Sequence, residues 1–378
     1  MANWIKPGHR LGIIGSGSDT TELVLAAKKL GYVVSTYNQN NRDGSGEVSD
    51  FYTQGRYDDY DSLMTFAQSI DVLIYTTREI DSEIIKQLSA VTNIPQGDYL
   101  LALSQDKILR KSILEAAEVV VPPQEIIVSK DDLYTAVENI GFPAVLKSNS
   151  SWNESFQYVM FYDESDIDAF DFEAAHIPVG VLEAWVPVER ELSVVASVDN
   201  EKNIFPVTLS ETTYRDGKLY RSFNPPQVDD DVAVQMFYIA QKIAEIEEFY
   251  GVITVEFLLT SAGVIYVKDI IPFVSPSAAY TKYAQNLSQY DMAVRSAVKW
   301  PIPSVMHYGS AVMIEFYENH LDKVLAEIES HPQWLIDLYS GDLENEAIGR
   351  ITVVSDDNNQ ALQDFSEVDL WHNINERK

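Results

Sequence analysis

Two carboxylates on neighbouring predicted strands give the clearest chemical signal in this sequence. Apolar, β-branched runs at 252–259 and 264–270 are joined by Thr260-Ser-Ala-Gly263, which is the pattern of a β-hairpin. The hairpin brings Glu256, in the first run, to within a residue or two of a position opposite Asp269, in the second. Two like charges so placed repel each other unless a cation lies between them. Mg²⁺ carrying nucleotide phosphates suits such a pair, because it takes one or two carboxylates together with phosphate oxygens.

The overall charge limits the partners that such a site can have. The chain carries 58 acidic and 27 basic residues, a net charge of −31, and this disfavours a nucleic-acid partner because phosphates need a basic surface. An anionic substrate would have to be held by a few local lysines, arginines or backbone N–H groups. In so acidic a chain, two exposed acids without a ligand are the alternative interpretation of the hairpin. The absence of cysteine excludes disulfides and thiolate metal sites.

Length and hydropathy indicate a multidomain cytoplasmic protein. A chain of 378 residues with 46% hydrophobic content can bury several cores, so we expect two to four domains. The longest apolar runs have the length of strands, and we expect no transmembrane helix and no membrane partner. The first residues lack the apolar core and cleavage site of a signal peptide.

The N-terminal stretch predicts the first unit of a parallel α/β sheet. A short apolar strand at 10–14 leads through Gly15-Ser-Gly17 into a helix at 20–30 and a strand at 32–36. A GxG turn at a helix N-terminus offers N–H groups to an anion. The third glycine of the dinucleotide fingerprint is replaced by Thr20, and Asn38 stands where an acid would be expected, so NAD binding is disfavoured. A strand at 71–75 and helices at 81–89 and 104–118 continue a doubly wound domain.

The next stretch predicts a smaller α+β unit that ends in a lysine. A strand at 125–128 and a helix at 130–140 precede the apolar strand 144–147, which Lys147 closes. A lysine at the end of a buried strand is a candidate ligand-binding residue, although a surface lysine is the alternative. Further strands are predicted at 181–186, 191–198, 205–209, 218–223, 312–316 and 349–355, with helices at 232–250 and 321–330.

The order of these units resembles the ATP-grasp superfamily, and several motifs resemble one of its families, the ATP-dependent N5-carboxyaminoimidazole ribonucleotide synthetases. These motifs spread across the whole chain. They are Gly12-Ile-Ile-Gly-Ser-Gly17, Pro95-Gln-Gly97, Gly141-Phe-Pro-Ala-Val-Leu-Lys147, Leu182-Glu-Ala-Trp-Val-Pro-Val-Glu-Arg-Glu-Leu-Ser-Val194 and Gly251–Phe257.

The resemblance implies an α/β ATP-grasp fold in four parts and a homodimer. We expect an N-terminal parallel α/β (pre-ATP-grasp) domain at 1–112 and a small α+β lid subdomain at 113–186. A larger antiparallel α+β subdomain with the hairpin should occupy 187–300, and a C-terminal subdomain 301–378.

The same resemblance implies an activity and a set of site residues. In the family, ATP activates bicarbonate as carboxyphosphate, which then carboxylates aminoimidazole ribonucleotide in purine synthesis. ATP and Mg²⁺ are therefore the expected cofactors. The resemblance leaves the catalytic residue open, with Lys268 and Lys147 as candidates. By motif position, Lys107 and Lys147 match the family's cations on the phosphate side, and Glu191 matches the acid that binds ribose. The family's adenine-binding strand is matched by Glu183, Ala184, Trp185 and Val186. Its two Mg²⁺ ligands are matched by Glu256 and Asp269.

Several stretches depart from the family pattern on the substrate side. The glycine-rich phosphate loop is replaced by 148–157, which has neither glycine nor lysine and carries Glu154. Lys268-Asp269 stands in place of Asn-Glu, and Phe273–Ala279 lacks the family's arginine and two histidines. Replacement cations for a substrate phosphate are Lys268, Arg78, Lys282 and Arg350. Two alternatives therefore stay open: a ligase for another small substrate, and a non-catalytic paralogue.

Overall fold

The computed structural model arranges the chain around three β-sheets. It describes residues 4–40, 43–150, 156, 158–215, 217–246, 248–340, 347–357, 359–360 and 362–363. The first sheet is parallel, and the other two are antiparallel.

The N-terminal sheet has four parallel strands in the order β3-β2-β1-β4. This order places the turn that follows β1 in the middle of the sheet, at the carboxyl ends of the strands, where α/β folds bind ligands. The strands are β1 (Arg10–Ile14), β2 (Val33–Asn38), β3 (Phe51–Gln54) and β4 (Val72–Tyr75), and the helices are α1 (Gly17–Lys29), α2 (Gly44–Val48), α3 (Tyr60–Ala67), α4 (Ser82–Leu88), α5 (Tyr99–Gln105) and α6 (Lys107–Ala116).

A small antiparallel sheet, in the order β5-β8-β6-β7, forms the next unit. Its helix α7 begins with a reciprocal capping box, in which the side chain of Ser129 accepts from the backbone of Asp132 and the side chain of Asp132 accepts from that of Ser129. The elements are β5 (Gln124–Ile127), α7 (Lys130–Ile140), β6 (Ala144–Ser148), β7 (Tyr158–Phe161), α8 (Glu164–Ala169) and β8 (Gly180–Ala184).

The third sheet has eight antiparallel strands in the order β13-β12-β9-β10-β11-β14-β16-β15. Its last three strands come from the C-terminal part of the chain, so that part adds to the sheet rather than building its own. The elements are β9 (Val188–Val198), β10 (Ile204–Arg215), β11 (Lys218–Asn224), α9 (Asp230–Ala244), β12 (Gly251–Thr260), β13 (Ile265–Ile271), α10 (Thr281–Ala284), α11 (Gln289–Ala297), β14 (Ser310–Phe316), α12 (Leu321–Glu327), β15 (Leu335–Leu338) and β16 (Gly349–Ser355).

Strand β12 of the hairpin and its neighbour β9 are covered on both faces, and this explains their apolar sequence. Val252 and Val195 belong to a core shared with α1 and α11. Val255 and Phe257 face the other way, into a core shared with α9 and α5. Because successive side chains of a strand alternate between faces, Glu256 lies on the same face as Val252.

Two predicted helices have different boundaries in the structure. The helix predicted at 104–118 is divided by Asp106, whose backbone is extended and whose carboxylate accepts a 2.8 Å hydrogen bond from the N–H of Leu109. The helix predicted at 232–250 ends at Ala244. Phe249 is buried in the core, so the apolar spacing of the sequence continues past the end of the helix. The backbone there is not helical, because the N–H of Tyr250 donates to the carbonyl of Pro95.

None of the helices in the described part of the chain combines the length and the apolar character needed to cross a membrane.

A buried arginine connects the C-terminal strands to the N-terminal unit. Arg350, on β16, is only 2% exposed and donates at 2.8 Å to Asp19 on α1 and at 2.9 Å to Glu315 on β14. It also donates to Ser18 Oγ and to the hydroxyl of Tyr290 on α11. Four elements from both ends of the chain therefore share one guanidinium, and its charge offsets two carboxylates in a poorly solvated place.

We expect Arg350→Met to destabilise the fold strongly. The substitution leaves Asp19 and Glu315 near each other without their cation, and a buried pair broken on one side costs about 3–5 kcal/mol. Urea unfolding, followed by circular dichroism, measures the change. Arg56→Met is the control, because the Arg56–Asp58 pair is exposed and should contribute little. Equal unfolding midpoints for the two variants would contradict the role given to Arg350.

Candidate functional site

The hairpin register brings the two predicted metal-binding positions together. Strands β12 and β13 pair Glu256 directly with Asp269, while Phe257 pairs with Val267, so Lys268 is an extra residue in a β-bulge. The next pair along, Val255 and Ile270, is fully buried in the core beside α9. The side chains of Glu256 and Asp269 therefore project from the opposite face. The predicted proximity is confirmed, and the role as metal ligands stays a prediction.

Glu256 has a positively charged neighbour within the protein. Its carboxylate lies 3.4 Å from Lys268 Nζ and accepts a 2.7 Å hydrogen bond from the hydroxyl of Tyr214. Lys268 Nζ also donates to Glu191 at 2.8 Å and lies 4.4 Å from the centre of the Tyr214 ring. Burial, and then the charge of Glu256, raises the pKa of Tyr214 far above its ordinary value, so this hydroxyl stays a donor.

Asp269 is held by two arginines. Arg78 donates to one carboxylate oxygen at 2.7 Å and Arg110 to the other at 2.9 Å. Burial alone would raise the pKa of Asp269, but the two guanidiniums outweigh it and lower the pKa to about 2. Cationic side chains thus relieve the repulsion expected between the two hairpin acids: Lys268 lies beside Glu256, and Arg78 and Arg110 lie beside Asp269.

A cavity of about 190 Å³ lies between the small sheet and the hairpin. It brings together the residues that the sequence predicted for nucleotide binding, although these come from β6, β8, β9, α6 and the connection between β8 and β9. Its lining includes Lys107, Arg110, Lys111, Val121, Pro122, Val145, Lys147, Glu183, Ala184, Trp185, Val186, Glu191, Leu258, Val267 and Lys268. The structure therefore brings all seven predicted nucleotide-binding residues to one cavity, and their individual roles stay predictions.

The lysines of this cavity differ in their surroundings. Lys107 donates to the carbonyl of Ser148 at 2.9 Å, and burial, then the neighbouring charge of Arg110, lowers its pKa to about 8. Lys147 is bonded to the carboxylate of Glu183. An anion entering the cavity would meet both ammonium groups on one side.

A second cavity of about 410 Å³ has Glu256 in its wall. Its wall includes the tight turn after β1, where Gly15 has a φ of +148° and an added Cβ would lie 1.9 Å from Thr76 Oγ1. The rest of the wall mixes hydroxyl groups with apolar and charged side chains. It includes Ser16, Ser18, Asp19, Tyr214, Lys218, Leu219, Glu256, Ile271, Phe273, Val274, Ser275, Ser277, Glu315, Tyr317 and Arg350. A larger, open depression of about 970 Å³ on the small sheet unit, lined by 128–130, 168–173 and 176–178, involves none of these residues.

All four cations predicted as replacements for substrate phosphate binding are paired with acids, and Lys268 is paired with Glu191 and Glu256 as described above. The other three are paired as follows. Arg78 is bonded to Asp269, and Arg350 to Asp19 and Glu315. Lys282 is bonded to Glu22 at 2.7 Å and to Asp337 at 2.6 Å. Of the three, only Arg350 lines the second cavity, and its contacts are already made. Most of the replaced phosphate loop, 151–155 and 157 with Glu154, lies outside the described residues.

Sequence reasoning missed two residues of this site. Arg110 follows Lys107 by three positions on α6, and this helical spacing could have indicated that both lie on one face. No sequence pattern indicated Tyr214, because this residue comes near Glu256 only when β10, β9 and β12 pair in the sheet. Among the described residues there is no group of three or more acids or histidines that could hold a metal by themselves.

Two family models match the chain. One, the ATP-grasp domain, covers residues 112–290, and the other, the ribonucleotide synthetase preATP-grasp domain, covers 9–105. A curated N5-carboxyaminoimidazole ribonucleotide synthase from Staphylococcus aureus (strain N315) is 28% identical over 366 residues, which is 96% of this chain and 97% of the relative.

Solved structures agree with these matches. N5-carboxyaminoimidazole synthetase from Staphylococcus aureus complexed with ADP superposes with a TM-score of 0.90 at 27% identity, covering 98% of this chain and 99% of that one. The ADP complex of another N5-carboxyaminoimidazole ribonucleotide synthetase superposes with a TM-score of 0.92 at 25% identity, covering 99% of both chains.

The fold and the hairpin site therefore define an ATP-grasp protein with a preATP-grasp domain, as the sequence predicted. Within that class, the chain belongs to the N5-carboxyaminoimidazole ribonucleotide synthetase family as a diverged member.

Proposed function

We propose that this protein is an ATP-dependent ligase that carboxylates 5-aminoimidazole ribonucleotide with bicarbonate, a step of purine biosynthesis. The observation that carries the proposal is the similarity to such synthases along almost the whole chain, preATP-grasp domain included. The two cavities support it, because the predicted nucleotide-binding residues line one of them and Glu256 lines the other.

The proposed reaction has two bond-forming steps. An oxygen of bicarbonate attacks the γ-phosphorus of ATP, the bond to the bridging oxygen breaks, and ADP leaves with the electron pair. The amine nitrogen of the ribonucleotide then attacks the carbonyl carbon of carboxyphosphate, and phosphate and a proton are released. Both steps depend mainly on positioning and on the neutralisation of phosphate charge.

We assign the nucleotide to the cavity of about 190 Å³. In this proposal the strand segment Glu183–Val186 binds adenine, Glu191 accepts hydrogen bonds from the ribose hydroxyls, and Lys107 and Lys147 bind phosphate oxygens. Lys147 can do this only when it exchanges its bond to Glu183 for one to phosphate. Lys147 and Lys268 remain the candidates for direct contact with the reacting groups.

We assign Mg²⁺ to Glu256 and Asp269. The residues fit this ion, because both carboxylates project from one face of the hairpin and the low pKa of Asp269 keeps it ionised. A pair of carboxylates without further protein ligands suits a metal that completes its shell with phosphate oxygens and water. When bound, the ion would neutralise phosphate charge.

We assign the ribonucleotide to the cavity of about 410 Å³, where hydroxyls and Phe273 stand in place of the family's arginine and histidines. We further propose a homodimer, as the family resemblance implies. In the apolar stretch 270–274, Ile270 and Val274 are buried inside the subunit. The cytoplasmic location stays a prediction.

The reaction is tested by measuring ADP release from Mg·ATP with and without bicarbonate and 5-aminoimidazole ribonucleotide. We expect release to require bicarbonate, because it is the group that attacks the γ-phosphorus. We expect the ribonucleotide to stimulate release, because its amine consumes the carboxyphosphate. Release that needs a different acceptor would indicate a ligase for another substrate. No detectable ATP binding at millimolar Mg·ATP by calorimetry would indicate a non-catalytic paralogue.

We expect Glu256→Gln to weaken Mg·ATP binding by roughly 10–100-fold, because an amide supplies no charge to the metal. Calorimetry with Mg·ATP and with AMP measures the effect, and AMP binding should change little. Glu245→Gln is the matched control, because Glu245 caps the C-terminus of α9, lines neither cavity and accepts a 2.8 Å hydrogen bond from Gln241. Equal losses for the two variants would show that the metal site is misplaced.

We expect Mg·ATP binding to weaken as the pH rises above about 8. Lys107 has its pKa lowered to about 8, so in the free protein it loses its proton, and its attraction for phosphate, above that value. Bound phosphate favours the protonated form, so binding should take up a proton near and above this pH. Calorimetry in two buffers of different ionisation enthalpy counts those protons.

Lys107→Met should bind Mg·ATP more weakly than the wild type at neutral pH and should lose the proton uptake. The wild type and Lys242→Met, altered on α9 away from both cavities, should keep it. A Lys107→Met variant with the pH dependence of the wild type would show that another group titrates.

A further inference from the structure

We infer that Lys268 binds the γ-phosphate of ATP and acts as a built-in cation that carries part of the charge neutralisation otherwise left to the divalent metal. The inference rests on the proposed function only in taking the cavity of about 190 Å³ to be the nucleotide site. It concerns a residue at which this chain departs from the family pattern.

The bulge in the hairpin places the side chain of Lys268 on the same face of the sheet as Glu256. Asp269 pairs with Glu256 and Val267 with Phe257, so Lys268 has no partner position on β12. A residue added in this way lets its side chain lie on the same side as its neighbour. The 3.4 Å contact between Lys268 Nζ and Glu256 shows that it does.

The ammonium group of Lys268 lies where the two cavities adjoin. Its partner Glu191 lines the nucleotide cavity, whereas Glu256 and Tyr214, which it also contacts, line the second cavity. A phosphoryl group that passes from ATP to an acceptor must be reachable from both sides. The boundary occupied by Lys268 Nζ meets this requirement.

The contacts of Lys268 can be exchanged for contacts to phosphate. Its side chain is 36% exposed, so a ligand can reach the ammonium group, and its four-carbon stem can move without displacing the strand. When Lys268 turns from Glu191 to a phosphate oxygen, the Glu191 carboxylate becomes available to the ribose hydroxyls. One rearrangement thus prepares both parts of the nucleotide site.

The other cations near the boundary are less able to serve the γ-phosphate. Arg78 and Arg110 are both bonded to Asp269, and the stretch 148–157, in the place of the family's phosphate loop, contains no lysine or arginine. Lys107 and Lys147 lie beside Ser148 and Glu183, on the side of the small sheet. Lys268 is therefore the lysine of the cavity that also contacts the lining of the second cavity.

The inference predicts that Lys268→Met weakens ATP binding by about tenfold or more, both with Mg²⁺ and in EDTA, while AMP binding stays within about twofold. Calorimetry with ATP and AMP in the two conditions measures this. Lys268→Arg should retain most of the affinity, because it keeps the charge. Lys242→Met is the matched control, since Lys242 is a half-buried lysine bonded to the carbonyl of Ala117 on the far side of the sheet.

The outcomes separate this inference from the proposed function. Unchanged ATP affinity in Lys268→Met, or no measurable binding of metal-free ATP to the wild type, would overturn the inference while leaving the ligase proposal intact. An equal loss of ATP and AMP binding would also overturn it, because the residue would then shape the pocket as a whole. If the wild type bound neither nucleotide in either condition, the nucleotide site itself would be wrong, and the inference would fall with it.

Discussion

Charge compensation at one hairpin is the constraint on which the site depends. Glu256 and Asp269 stand directly opposite each other on neighbouring strands, and such a pair is stable only with cations nearby. The protein supplies Lys268 to the first acid and two arginines to the second. Since the arginines come from the segment after β4 and from α6, the N-terminal unit is tied to the hairpin by charge.

The same principle extends to the domain contacts. Arg350 joins Asp19 and Glu315, and Lys282 joins Glu22 and Asp337, so acids of α1 are neutralised by cations from distant parts of the chain. In a protein with a net charge of −31, the few basic residues are concentrated where carboxylates would otherwise meet. Cations bound in this way fix the relative position of the units, and they are not available to a substrate phosphate.

The wall of the second cavity includes part of the stretch 273–279, which the sequence analysis identified as a departure from the family pattern. Phe273 packs edge-on against Tyr75, and Ser275 and Ser277 lie within a network of buried hydroxyls that also includes Ser193. A stretch that carries arginine and histidine in the family is here apolar and neutral. In the inference made above, Lys268 at the bulge supplies charge for the phosphate chemistry; it lines the nucleotide cavity and contacts Glu256 in the wall of the second.

The sequence by itself determined the hairpin, the order of the main elements and the family. The apolar runs around 260–263 have a period that only a hairpin satisfies, and β12 and β13 confirm it. Local chemistry also sufficed for helix α7, which spans the predicted 130–140 and begins at its capping box. Local chemistry did not predict the helix boundary at Asp106, where a capping residue interrupts an otherwise helical pattern. It also did not predict the end of α9, because the buried Phe249 beyond the helix continues the helical spacing of apolar residues.

Only the tertiary structure decided which charges meet. Arg78 and Arg110 converge on Asp269 from positions 191 and 159 residues away in the chain, and Tyr214 reaches Glu256 across two strand pairings. Arg350 and Lys282 could be named as candidate phosphate ligands from their type, but their partners Asp19 and Glu22 become neighbours only when α1 packs against the large sheet. Ionic contacts act over a few ångströms in space and leave no periodic trace along the chain, so residue type and spacing could not reveal them.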